Sequence, residues 1–336
     1  MKAISRRRFL SIAAASAGVG LMPAWYRHAQ ASVAQEPVIW QGIALGADAQ
    51  LRIYHDDKQY AHVLIQRVLD EVTRLERIFS LYQEDSALSR LNAQGYLDQP
   101  PKELLQLLSS SHSFSELSQG LFDPSVQTLW NLYAQRISNA KNASGSDAEA
   151  FKLELEQALK RVDYTQIRLS AERIDYLVPG MQVTLNGIAQ GFITDRVTEL
   201  LRQAGLDRML VNMGEIRGVD TLATEAPWQV GIRSPFDDQA LLGHVPLRNE
   251  AIATSAGSGT PLDREGQITH LFNPRTGLSA PLYHSVSVIA EDATTADALS
   301  TAFSLMPIAS IRTIVKSLPA VQVYVVGEDK QLLKVS

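Results

Sequence analysis

Gln182-Val183-Thr184-Leu185-Asn186-Gly187-Ile188-Ala189-Gln190-Gly191 opens with alternating apolar residues and turns through Asn186-Gly187. It then enters a segment in which Ile193, Val197, Leu200 and Leu201 recur at helical spacing. The reading is a strand, a turn and an amphipathic helix. Toward the N-terminus, Gln50 to His55 alternates like a strand, and from Lys58 to Phe79 the residues Val68, Val72, Leu75 and Phe79 form a helical stripe. Pro100-Pro101 starts a further helical segment through Leu117, and Asn139 to Asp147 reads as a surface loop. Toward the C-terminus, short apolar runs at Met209–Met213, Trp228–Ile232, Ser285–Ala290 and Val321–Val326 are strand candidates. Helices and strands interleave without a strict βαβ rhythm, so the expected class is α+β.

The same stretch carries candidate chemistry. Gly187 and Gly191 let a backbone approach a ligand, and free amides at a helix start bind phosphate while a turn carbonyl completes a metal site. Helix packing through a pair of small residues is the competing reading. In Thr294-Thr295-Ala296-Asp297-Ala298-Leu299-Ser300-Thr301-Ala302, Asp297 and Thr301 share a helix face, giving oxygen-only ligation suited to Mg²⁺. Alternatively, Asp297 favours the helix N-terminus and Thr301 bonds back to a carbonyl. His270-Leu271-Phe272-Asn273-Pro274-Arg275-Thr276-Gly277 sets a histidine, whose ordinary pKa lies near neutrality, ahead of a short strand and a turn. Ala253-Thr254-Ser255-Ala256-Gly257-Ser258-Gly259 is small and hydroxyl-rich, which suits a loop approached closely by a ligand or another chain, or an ordinary flexible turn. Tyr82 and Phe122 are candidates to flank a planar ring, or ordinary core aromatics.

Composition narrows the classes. The 336 residues are 45% hydrophobic and 20% charged, which excludes a disordered or collagenous chain. Lys2, Arg6, Arg7, Arg8 and Arg27 precede residue 32 with no acid among them, so the remainder is more acidic than the net −5 of the whole. That balance excludes a general nucleic-acid footprint. With no cysteine, any metal site must use oxygen or imidazole ligands. No Walker loop, G-x-G-x-x-G, H-E-x-x-H or G-x-S-x-G motif is present.

Ser5-Arg6-Arg7-Arg8-Phe9-Leu10 has the layout of a twin-arginine export signal, and Ala29-Gln30-Ala31 supplies a cleavage pattern. The apolar run from Phe9 to Met22 is shorter than the roughly 20 residues of a spanning helix. The expected organisation is a signal over 1–31 and one catalytic domain over 32–336, exported to the periplasm with no integral membrane segment after signal removal.

In their order, these motifs resemble the ApbE family of FAD:protein FMN transferases. The resemblance rests on the early Ala-Leu-Gly, Asp85-Ser86-Ala87-Leu88-Ser89-Arg90-Leu91-Asn92, Phe122-Asp123-Pro124-Ser125, Leu185 to Gly191, Val211-Asn212-Met213-Gly214-Glu215-Ile216, Ala253-Thr254-Ser255, His270 to Gly277 and Ala296 to Ala302. It implies a T-fold-like domain of mixed sheet and helices that binds FAD with Mg²⁺. The implied reaction moves the FMN half to a Thr or Ser hydroxyl of an acceptor protein and releases AMP. By the same resemblance, the Gly187 carbonyl, Asp297 and Thr301 hold the metal and His270 is catalytic. Leu45, Tyr82, Leu121, Phe122, Asp123, Thr184, Gln190 and Leu271 fall around the FAD. The implied acceptor is a flavoprotein subunit of a membrane electron-transfer complex. Thr184 stands where an aspartate is frequent, Gln190 where a lysine or acid is, and Asn273 where the histidine motif has aspartate. These departures keep open an FAD carrier without transfer, and an FAD pyrophosphatase yielding FMN and AMP.

Overall fold

The apolar stripe at Val68, Val72, Leu75 and Phe79 is buried as its period requires, on a helix whose first amides, Gln59 and Tyr60, are capped by the Asp57 carboxylate at 2.9 and 3.0 Å. This helix belongs to a computed structural model that describes residues 36–336 apart from 45, 140–146, 224, 260, 264 and 265. The export segment, Leu45 and most of the Asn139 to Asp147 stretch lie outside the described residues.

The first half of the chain runs β1 (Val38–Ala44), β2 (Ala47–Ile53), α1 (Lys58–Phe79), α2 (Ala87–Gln94), β3 (Tyr96–Asp98), α3 (Lys102–Leu117), α4 (Gln127–Asn139) and α5 (Asp147–Leu159). Then come β4 (Ile167–Leu169), β5 (Arg173–Tyr176), α6 (Ala189–Gln203), β6 (Arg208–Asn212), β7 (Ile216–Asp220), β8 (Trp228–Ser234), β9 (Asp237–Leu247) and β10 (Glu250–Ala256). The last part is β11 (Ser285–Ala290), α7 (Ala293–Ser304), α8 (Ile308–Ser317), β12 (Gln322–Val326) and β13 (Leu332–Val335). The main sheet has the order β1-β2-β6-β7-β10-β11-β12-β13, and every neighbouring pair is antiparallel, so its strand directions are not mixed. A small sheet β3-β5-β4 and the ribbon β8-β9 stand apart from it.

Period-two alternation divides the core. Val286, Val288 and Ala290 of β11 join the cluster containing Val68, Ile193, Val197 and Phe303 of the helices, while Ile289 joins Val230, Ile232, Val245 and Leu247 of the ribbon. Helices α1, α6 and α7 therefore cover one face and the ribbon covers the other, which makes β11 buried at every residue. Among the described residues no helix is long and apolar enough to cross a membrane.

The α+β expectation holds, with three local corrections. Gln182 to Leu185 is not a strand. The Asn92 side-chain amide replaces a strand partner: Val183 N–H donates to its Oδ1 and its Nδ2 donates to Val183 O, both at 2.8 Å. Thr184 N–H donates to Pro124 O, so the middle of the segment is held without a ladder. The residues after His270 form a turn rather than a strand, closed by Gly277 N–H to Asn273 O at 2.8 Å. Finally, Ala253 to Ala256 ends β10 instead of forming a loop, and only Gly257–Gly259 turns, as one 3-10 helix.

Candidate active site

Helices α6 and α7 meet at Gly191. A Cβ there would lie 2.2 Å from Ala293 O and 2.8 Å from Asp297 Cβ, so only glycine allows this approach. Its freed N–H donates to Asp297 Oδ2 at 3.0 Å. One turn earlier, a Cβ on Gly187 would sit 2.9 Å from Thr301 Oγ1 and 3.3 Å from the Phe122 ring. The packing reading of this glycine pair holds at Gly191, which brings two helices together, while Gly187 faces the hydroxyl that shares a helix face with Asp297.

Around this junction lies a cleft enclosing about 890 Å³, part of it open to solvent. It brings together Leu121, Phe122, Asp123, Thr184, Gly187, Gln190, His270, Leu271, Asp297 and Thr301. Tyr82 is not part of its lining and stands 47% exposed after α1. Leu45 lies outside the described residues.

The electrostatics of the cleft are unusual for a resting surface. Asp297 is buried, and burial together with the Asp195 charge pushes its carboxyl up to about 7 against the restraining Gly191 N–H. Glu215, in the turn between β6 and β7, is also buried and lines the cleft. Burial and then the Asp297 charge push its carboxyl well above the ordinary range, opposed by the Thr254 N–H. Asp123 rises to about 6, mainly by burial, although Ser125 N, Ser125 Oγ and Tyr164 N donate to it at 2.8, 2.6 and 3.1 Å. Asp195 holds the entry to α7 in place, accepting from Ala293 N, Thr294 N and Thr294 Oγ1 while paired with Arg217.

Gln190 is 7% exposed, and its Nε2 has no hydrogen-bond partner. Its side chain lies over Gly214, whose φ of +105° and lack of a Cβ make the room. A buried amide donor left open toward a cleft costs about 1–3 kcal/mol unless a ligand acceptor meets it. The loop bearing His270 is stitched shut by Thr269 N–H to Ser279 Oγ at 2.7 Å and Leu271 N–H to Thr269 Oγ1 at 3.3 Å.

Among the described residues no three His, Asp or Glu side chains converge as a metal group. The cation candidates are instead one carboxylate, one hydroxyl and one turn carbonyl, all oxygen. Sequence reasoning passed over Gln127 and Trp130 and gave no individual role to Glu215 and Ser255, all four of which also line the cleft. For Glu215 a signal exists: an acid directly after a glycine, between two apolar strand runs, has no reason to be buried except a site.

The model of the ApbE family matches residues 45–325. The chain belongs to the ApbE family. Curated relatives named FAD:protein FMN transferase include one from Treponema pallidum, 29% identical over 322 residues, covering 86% of this chain and 84% of the relative. Another, from Escherichia coli K12, is 24% identical over 312 residues, covering 90% and 87%. Among solved structures, the ApbE protein of Thermotoga maritima superposes with a TM-score of 0.76 at 27% identity, over 90% of this chain and 97% of that one. The apo form of the Pseudomonas stutzeri flavinyl transferase ApbE gives 0.76 at 22%, over 90% and 95%, and shows the shared fold.

Two of the three positions singled out in the sequence, Asn273 and Thr184, accept a bond from a nearby backbone amide. Asn273 Oδ1 accepts from Arg275 N at 2.9 Å, as an aspartate would in the same turn. Thr184 Oγ1 accepts from Asn186 N at 3.2 Å and so holds the approach to Gly187.

Proposed function

We propose that this ApbE chain transfers the FMN half of FAD to a Thr or Ser hydroxyl of an exported acceptor protein, releasing AMP, with Mg²⁺ held by the Gly187 carbonyl, Asp297 and Thr301. The observation that carries it is the meeting of a buried carboxylate, a hydroxyl and a glycine turn in a cleft that His270 also lines. The donor set fits the ion: among the described residues no cationic side chain offsets the buried Asp297 and Glu215 carboxyls, and oxygen-only ligands suit a hard divalent cation.

Bound there, Mg²⁺ would neutralise charge on the diphosphate and on the departing AMP oxygen. His270 accepts the acceptor hydroxyl proton at a ring nitrogen. The hydroxyl oxygen bonds to the FMN phosphorus, the bridging P–O bond breaks, and its electron pair leaves with AMP. Gln190 Nε2 donates to a flavin or phosphate oxygen, and Phe122 and Leu121 give an apolar wall.

The test mixes full-length or signal-free protein with FAD, Mg²⁺ and an acceptor domain bearing a Ser/Thr-Gly-Ala-Ser/Thr segment, and follows AMP and acceptor mass. One added FMN per acceptor, lost with EDTA and in Asp297→Ala, supports transfer. Free FMN with AMP and an unmodified acceptor means hydrolysis, and retained FAD without AMP means a carrier. We further infer export to the periplasm through the twin-arginine pathway, from Arg6-Arg7 ahead of Phe9-Leu10 and the Ala29-Gln30-Ala31 site, leaving a mature chain from about Ser32. Acceptors there are periplasmic domains of membrane electron-transfer subunits. Cell fractionation of an Arg6→Lys/Arg7→Lys double variant checks the route: periplasmic protein in normal amount refutes it.

A further inference from the structure

Three hydroxyls and one carbonyl form a chain that runs from the lining of the cleft into the core. Ser300 Oγ donates to Asp297 O at 2.9 Å, Ser255 Oγ lies 2.7 Å from Ser300 Oγ, and Ser255 Oγ lies 3.3 Å from Thr301 Oγ1. Ser300 is 1% exposed, so its hydroxyl is sealed from bulk water.

Counting protons fixes the direction of every bond. A carbonyl only accepts, so the one Ser300 proton is spent on Asp297 O. Ser255 must therefore donate to Ser300, which spends the one Ser255 proton. Thr301 must then donate to Ser255. The Thr301 proton is thereby committed to Ser255, and the lone pairs of Oγ1 are left for a cation. Ser300, at i+3, donates to the Asp297 carbonyl, while Thr301 Oγ1, at i+4, lies against Ser255 Oγ.

Strand register supplies the relay. Ser255 of β10 pairs with Val286 and shares the helix-facing side with Ala253 of the main core cluster. Its neighbour Thr254 pairs with Ser287, their hydroxyls 2.8 Å apart.

We infer that Ser255 is a positioning residue that fixes the proton of Thr301 and so prepares its oxygen as a ligand for the divalent cation. The inference rests on the cation reading given above. The probe is Mn²⁺, whose free ion is counted by electron paramagnetic resonance while it is titrated into the full chain with FAD present and no acceptor. Ser255→Ala is expected to weaken Mn²⁺ binding about 10-fold, the scale seen when a partner that orients a metal ligand is removed. Ser255→Thr keeps the hydroxyl and is expected to restore binding. A simple packing role would not separate these variants in ion affinity at equal melting temperature. Asp297→Ala and Thr301→Ala report on the cation site itself. If they lose binding while Ser255→Ala binds as wild type, the relay is wrong and the site stands. If neither loses binding, the cation reading fails and takes the relay with it. Should Ser255→Ala not fold, Ser300→Ala serves, because it frees the Ser255 proton to donate toward Thr301. Wild-type Mn²⁺ affinity in that variant would overturn the relay.

Discussion

Replacing Gly191 with alanine puts one methyl group between two helices where the structure leaves no space. The added Cβ would sit 2.2 Å from Ala293 O, and ordinary contact begins at 3.4 Å, so α6 and α7 must part by about an ångström. The obstacle is backbone, which cannot rotate aside. That displacement stretches the 3.0 Å bond from Gly191 N–H to Asp297 Oδ2 beyond hydrogen-bond range. Overpacking of this kind costs about 1–3 kcal/mol, and losing a bond to a buried carboxyl adds about 1–3 more. The expected loss is therefore about 3 kcal/mol or greater, read as a lower urea midpoint at unchanged slope. Because the same shift carries Asp297 away from Gly187, AMP release from FAD in the folded fraction should fall about 100-fold, the penalty for a misplacement near 1 Å. A Gly191→Ala protein within 0.5 kcal/mol of wild type, roughly the scale of a neutral surface change, would refute this account of the helix junction.

Asp297 gives a pH test. In the metal-free protein its carboxyl sits at about 7 against an ordinary 3.8, facing Asp195, Glu215 and the Gly191 N–H, so the folded state keeps a proton that the unfolded chain has released. Its contribution to stability is thus present below pH 4 and lost as pH rises to about 7, at no more than about 1.4 kcal/mol per pH unit. Denaturation of wild type and Asp297→Asn across that range should show this difference without metal and not with saturating Mg²⁺; parallel curves would contradict it. His270→Ala should lower FMN transfer by about 100-fold or more while FAD affinity, measured by flavin fluorescence, changes little. Full transfer in that variant sinks the proton-acceptor role. Asn92→Ala strips Val183 of both backbone partners and Tyr176 of its phenol acceptor, and should cost about 2–4 kcal/mol in urea denaturation, with weaker FAD binding through the loosened approach to Gly187. A loss under 1 kcal/mol would mean that water substitutes freely for the Asn92 amide.

Periodic elements were legible because burial imposes their pattern. The stripe of α1, the helix after Gly187 and the apolar runs of β6, β8, β11 and β12 all occur near their expected places. Gln182 to Leu185 misled for an instructive reason: a side-chain amide can satisfy an extended backbone as a neighbouring strand does, and alternation does not distinguish the two. The ribbon β8-β9 was half seen, since Trp228–Ile232 is strongly apolar while β9 carries Asp237, Gly243, His244 and Pro246 within its length. In the candidate site, residues with a chemical signature in sequence, such as Asp297, Thr301 and His270, could be named from it, and the structure brings them to one cleft. Ser255 and Gln190 owe their importance to what lies opposite them, Thr301 in one case and Gly214 in the other, and local sequence holds no trace of that pairing.

The cleft takes its walls from Phe122 and Asp123, the Gly187 turn, Glu215, the end of β10, the His270 loop and α7, positions scattered across more than half the chain. Such distant segments meet only after large loops have closed, so the pocket is completed late in folding. A nascent or misassembled chain holds fragments of this surface and no vessel. Flavin capture by the protein is therefore a readout of finished folding, and unfinished copies would leave the cell's free FAD untouched.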